Sequence, residues 1–132
     1  MAGLAERLSA AAGPVPMPDG WNSSAVFAHL AFWDRLVLAR WDGYARAGTI
    51  GSLPDGLQDL INAAALPLWL ALDPLAAIAE GMDAATAVVE RIAGLDQGAV
   101  VAARSAGLTR MLDRTPHWTP HLDEVEAALA GA

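Results

Sequence analysis

The chain has 132 residues, 55% of them hydrophobic and 17% charged, which describes a single compact domain spanning residues 1–132 and excludes a disordered linker or tail. Eight arginines, no lysine and fifteen acids give a net charge of −7. The arginines are scattered and form no stripe, which argues against nucleic acid and against an anionic membrane as partners. With no cysteine, the chain has no disulfide, no thiolate zinc ligand and no thiol nucleophile of its own.

The residues "MAGLAERLSAAAG" lack a basic leader and carry Glu6 and Arg7 inside the apolar run, so they read as mature protein rather than as a signal peptide. A first short helix is expected over about 3–12, ended by the prolines and glycines of "GPVPMPDG". The clearest helix follows. Asn22 or Ser23 can cap it, and Val26, Leu30, Trp33, Val37 and Trp41 recur at helical spacing until Gly48. After the turn "GTIGSLPDG", a helix over about 55–65 is expected to break near Pro67, where an amide donor is missing. Asp73 followed by Pro74 is a strong helix start, and Leu75, Ile78, Met82, Ala85, Val89 and Ile92 mark the apolar stripe of a helix ending at Gly94. A short helical piece near 99–106 breaks at Gly107, and a last helix runs to about residue 130. No stretch alternates as a strand would, so the fold class is all-α, most simply a four-helix bundle. The longest apolar window, residues 63–72, is about half of what a bilayer needs, and the expected location is cytoplasmic.

The chemistry rests on three histidines. In "RTPHWTPHLDE", His117 and His121 stand four apart, which on a helix places both rings on one face, about 6 Å apart along the axis. A pair at such spacing also arises by chance in so short a chain. His29 lies in "AVFAHLAFW", among side chains that leave an imidazole in need of a partner. That partner is either an ion or a backbone carbonyl. If the second and last long helices are neighbours, the three rings form a facial triad with open positions, the arrangement of catalytic rather than structural metal sites. Pro120 complicates this geometry. A helix from Thr115 has Pro120 in its second turn, and a helix from Thr119 leaves His117 outside.

Two stretches carry a family resemblance. "GWNSSAVFAHLAFWDRLVL" resembles the second-helix signature of the DinB superfamily, including its mycothiol-dependent maleylpyruvate isomerase-like and colibactin self-resistance-like branches. "PHWTPHLDEVEAAL" is similar to the closing pattern of that family, and "LINAAALPLWLALDP" to the Asn and Trp segment of some branches. The resemblance covers most of the chain from Trp21 onward. It implies an up-down-down-up four-helix bundle, a zinc or nickel ion on His29, His117 and His121, frequent homodimers, and thiol transfer, isomerisation or hydrolysis of a small electrophile, with an exogenous low-molecular-weight thiol as possible co-substrate. Three departures stand beside it: Ala25 where an acid would complete a capping box, a short first helix, and the proline between the late histidines.

Three neutral imidazoles leave an ion its full positive charge, enough to lower the pKa of a water towards about 7, to hold an external thiolate or to polarise a carbonyl. Glu124, three residues after His121, is the candidate general base, with Asp34 and Asp123 less well aimed; a solvated acid in a first helical turn is the alternative for Glu124. Arg40 shares a face with His29 and can hold a carboxylate, although about 16 Å along the axis favours a surface ion pair. Trp33 and Trp118 are the candidate pocket walls among mostly core tryptophans. No Gly-rich phosphate loop, Ser/His/Asp arrangement or paired-carboxylate motif is present. The rival to a metalloenzyme is a metal-free binding or self-resistance protein that sequesters a hydrophobic small molecule between its helices.

Overall fold

A computed structural model describes residues 1–132 and is helical throughout, with no β-strand beyond one isolated bridge between Pro16 and Asn22. Six α-helices follow in order: α1 (Ala2–Ala10), α2 (Ser23–Ala47), α3 (Leu57–Ala71), α4 (Pro74–Ala93), α5 (Gln97–Ser105) and α6 (Thr115–Ala130). Single 3₁₀ turns at Pro18–Gly20 and Thr109–Met111 lead into α2 and α6. No helix is long and apolar enough to cross a membrane.

Helix α2 is the axis of the structure and packs against α4, α3 and α6. Its start is set locally: the Asn22 side chain accepts from the Ala25 amide at 2.8 Å, so the helix is capped without the acid a capping box would supply. Its end is a left-handed Gly48, φ 74°, which closes the last turn onto Tyr44. The stripe of Val26, Leu30, Trp33, Val37 and Trp41 is buried along its whole length.

Two expectations fail here. Helix α3 does not stop before Pro67 but runs through it to Ala71. Proline removes the donor for the carbonyl of Ala63, and Ala63 is exposed, so water can take the place of the missing bond. In α4 the buried face is Ala77, Ile78, Gly81, Ala84, Ala85 and Val88, whereas Leu75 and Val89 face outward. Ile78 and Ala85 of the expected stripe are buried and Met82 and Ile92 pack at its edge, so the face is shifted rather than replaced, with small residues beside them making the closest approach to α2. A Cβ on Gly81 would lie 2.9 Å from both the ring and the carbonyl oxygen of Phe27, an approach that only glycine permits.

Two apolar clusters flank the middle of α2. One gathers Leu4, Leu8, Val26, Phe27, Leu30, Ile78 and Val125; the other gathers Val37, Trp41, Val88, Ala103 and Met111. Each large side chain so buried contributes about 1.5–3 kcal/mol. Between them α2 carries a polar belt, His29 and Asp34, both inaccessible to solvent.

Candidate metal centre

His117 and His121 both lie on α6, because the helix begins at Thr115 with Pro116 in its first turn and continues through Pro120. Pro120 leaves only the carbonyl of Pro116 without its helical donor, and Pro116 is exposed, which is why the second turn survives. His29 reaches the same point from α2. The three offer ligand atoms that all lie within 4.8 Å of one another, two of the rings buried and His121 half-buried. The ring centroids are 5.1 Å apart for His29 and His117, 4.7 Å for His29 and His121, and 5.1 Å for His117 and His121.

Burial keeps these rings neutral. It pulls His29 from the ordinary 6.5 to about 4, helped by the neighbouring His121. His117 falls to about 3, through desolvation first and the adjacent Arg114 second. His121 is also lowered by burial, against an opposing pull from Glu124. At neutral pH each therefore has a lone pair to give.

The nitrogens could hold an ion once their spread of up to 4.8 Å contracts and one further adjustment is made. Nε2 of His29 and Nε2 of His117 are 3.1 Å apart. Tetrahedral ligands at 2.0–2.1 Å from zinc stand about 3.3 Å from each other, so this edge is already formed. The adjustment concerns Arg114, whose guanidinium approaches Nδ1 of His117 at 3.1 Å. A guanidinium only donates, so Nδ1 accepts and the ring proton sits on Nε2, facing His29. Ligation by Nε2 requires that proton to move to Nδ1 and this one Arg114 contact to open. Without an ion, His29 accepts at Nε2 and carries its own proton on Nδ1. That Nδ1 is the one buried side-chain polar atom in the protein with no hydrogen-bond partner.

Around the cluster the structure assembles residues that spacing alone does not pair. Asp34, fully buried, accepts from Arg114 Nε at 2.8 Å and from Trp118 Nε1 at 2.9 Å. Burial pushes its carboxyl above the usual range, while Arg114 and Trp118 pull it back. Asp34 therefore anchors the arginine that holds His117 and is not aimed at the histidines as a base. Trp118 ties α6 to α2 through this bond, whereas Trp33 donates to Asn62 on α3 at 3.0 Å and lines a cavity with His117. The tryptophans seated edge-on against His29 are Trp21, Trp69 and, farther off, the expected Trp33, with ring centroids at 5.5, 5.3 and 6.4 Å; the sequence placed the first two simply in the core. Glu124 stands 3.9 Å from His121 Nδ1 with its side chain 64% exposed, on the rim of a cavity of about 710 Å³ walled by Met17, Trp21, Val26 and His121. Asp123 is exposed. Arg40 forms no ion pair; it donates to the carbonyl of Gly51 at 2.6 Å.

Comparisons of the chain with protein-family models, with curated proteins and with solved structures gave no match. The class that fold and site define is an all-helical domain with three clustered histidines able to hold a metal ion.

Proposed function

We propose that this is a small metalloprotein of the DinB type, with a divalent ion on His29, His117 and His121, acting as an enzyme on a small electrophilic substrate. The observation that carries it is the convergence of three neutral imidazoles from α2 and α6, 88 and 92 positions apart in sequence, onto one point. Zinc or nickel suits an all-imidazole donor set. An ion held there would supply Lewis-acid polarisation of a carbonyl or epoxide oxygen and a positive charge for water or an exogenous thiol such as mycothiol.

The chain's own residues do the rest. Met17, Trp21 and Val26 bind the apolar part of a substrate beside His121, and Glu124 on the rim accepts a proton as general base. Trp21 and Trp69 exclude water from His29. The fold in this reading is an up-down-down-up bundle working as a homodimer.

Metal content by plasma mass spectrometry on untagged protein tests the reading, beside His29→Ala and His121→Ala. About one equivalent of transition metal, lost in both variants, is the expected result, followed by chelator-sensitive turnover in a screen of small electrophiles with and without thiols. No metal in the unaltered chain overturns it.

A second reading is favoured by one observation: the Arg114, His117 and His29 contacts form a continuous hydrogen-bonded chain without any ion. In that reading the protein sequesters a hydrophobic small molecule in the 710 Å³ cavity, and its ligand affinity survives chelation.

A further inference from the structure

A second cavity, of about 330 Å³, has His117 among its lining residues. It is at the lower end of the range of small-molecule sites. Its walls are apolar, with Trp33, Val37 and Met111, and its charged groups are Arg40, Arg110 and Arg114. Three of the eight arginines thus meet in one cavity with no acid among its lining residues, in a chain whose fifteen acids outnumber its cations nearly two to one.

The three arginines differ in what they have left to offer. Arg114 is neutralised by Asp34. Arg40 and Arg110 take part in no ion pair, and the Arg40 guanidinium has a single backbone carbonyl as its partner. Arg40 is half-buried all the same, and desolvation with no compensating carboxylate lowers its pKa. A desolvated cation without a counter-ion in a strongly acidic protein is the complement of a ligand anion.

We propose that this cavity is a carboxylate pocket, in which Arg40 and Arg110 bind the acid end of a small molecule whose hydrocarbon body lies against Trp33, Val37 and Met111. The guanidinium fork matches a carboxylate in shape and charge, and the apolar walls favour an aryl or alkyl acid over an inorganic anion. His117 is among the lining residues, so an acid bound there lies beside the histidine cluster. That its occupant is the substrate of the metal site rests on the function proposed above; that it binds carboxylates does not.

The probes are phenylacetate and its uncharged counterpart 2-phenylethanol, titrated calorimetrically into the full chain at low salt and neutral pH. The expected result is one phenylacetate site, with 2-phenylethanol at least tenfold weaker. Arg40→Gln with Arg110→Gln lowers the phenylacetate affinity at least tenfold while the unfolding midpoint and metal content stay those of the unaltered protein. Chelator-stripped protein keeps its phenylacetate affinity within twofold. Equal binding of acid and alcohol, affinity indifferent to the two arginines, or affinity that disappears with the ion each overturns the pocket, the last because the carboxylate then sits on the metal. Metal content is measured on the same samples, so a chain without metal refutes the function proposed above while arginine-dependent, acid-selective binding still establishes the pocket.

Discussion

His29 and Asp34 lie five residues apart on one helix, equally buried, and the protein treats them in opposite ways. Both carboxylate oxygens of Asp34 are matched, one by Arg114 and one by Trp118. His29 meets another histidine at Nε2 and makes no hydrogen bond at Nδ1, although the nearby Asn62 side chain favours its protonated form. A fully matched buried charge is what a fold requires to close its core; a half-matched buried ring serves something other than closure. Asp34 holds α6 to α2, whereas His29 is a residue that could take a ligand.

The sharpest way to break that distinction is to remove Asp34. Asp34→Ala leaves the Arg114 guanidinium buried without a counter-charge and frees Trp118 from its acceptor, which is expected to cost about 3–5 kcal/mol in urea unfolding. Less than about 1 kcal/mol would mean that Asp34 is no more structural than His29.

Acid separates the two next. In the metal-free chain His29 has a folded pKa of about 4 against 6.5 unfolded, so the unfolded chain takes up the proton first. The stability it contributes is present above about pH 6.5 and is lost as pH falls towards 4, a loss on the order of 3 kcal/mol from this ring alone. His117, lowered to about 3, acts in the same direction. Asp34 has the opposite sign: its raised pKa makes the folded state the better proton binder just above 3.8, so it favours folding on the acid side. Equilibrium unfolding measured from pH 7.5 to 4 is expected to show a steady fall; a flat profile would mean that these rings are not desolvated.

How much of this was legible in the sequence follows the range of each interaction. The α2 boundaries were readable because Asn22, Gly48 and the Val26 to Trp41 stripe act within a turn or two. The three histidines were readable as candidates because two share a face of one helix and the third lies among apolar neighbours. The Asp34 to Arg114 pair was not, since 80 residues separate its members and nothing local links them. The α4 stripe was right at Ile78, Met82, Ala85 and Ile92 and wrong at Leu75 and Val89, because large residues were weighed over small ones, while the closest contact with α2 is made where Gly81 lets Phe27 in. Pro67 was read as a break, and Pro120 left two helix starts open, because a missing donor is visible in sequence and the exposure that makes its absence tolerable is not.

Gly81→Ala tests whether the unmatched His29 is simply a sign of loose packing around it. The added methyl meets backbone as well as ring at Phe27, two residues from His29, so helices α2 and α4 must part. The expected cost is about 1–3 kcal/mol, read in the same unfolding experiment. A tolerated Gly81→Ala would make the orphaned nitrogen a packing defect and remove the contrast with Asp34.

His29→Leu is the smallest expected change in stability and the largest in binding. The substitution removes the unpartnered Nδ1 proton, whose burial costs about 1–3 kcal/mol, and at the same time deprives His117 Nε2 of its acceptor, worth about 1 kcal/mol or somewhat more with the donor left buried. The two effects oppose each other, and the net shift is expected to stay within about 1 kcal/mol. If the proposed ion is bound, its retention is expected to disappear, because two imidazoles from α6 alone would lack the ligand that α2 could provide. An unfolding midpoint near that of the unaltered chain together with lost metal would place His29 with the ligand site and Asp34 with the fold. A midpoint lowered as far as in Asp34→Ala would instead make the two residues members of one structural belt, whose one missing bond then calls for an explanation other than metal.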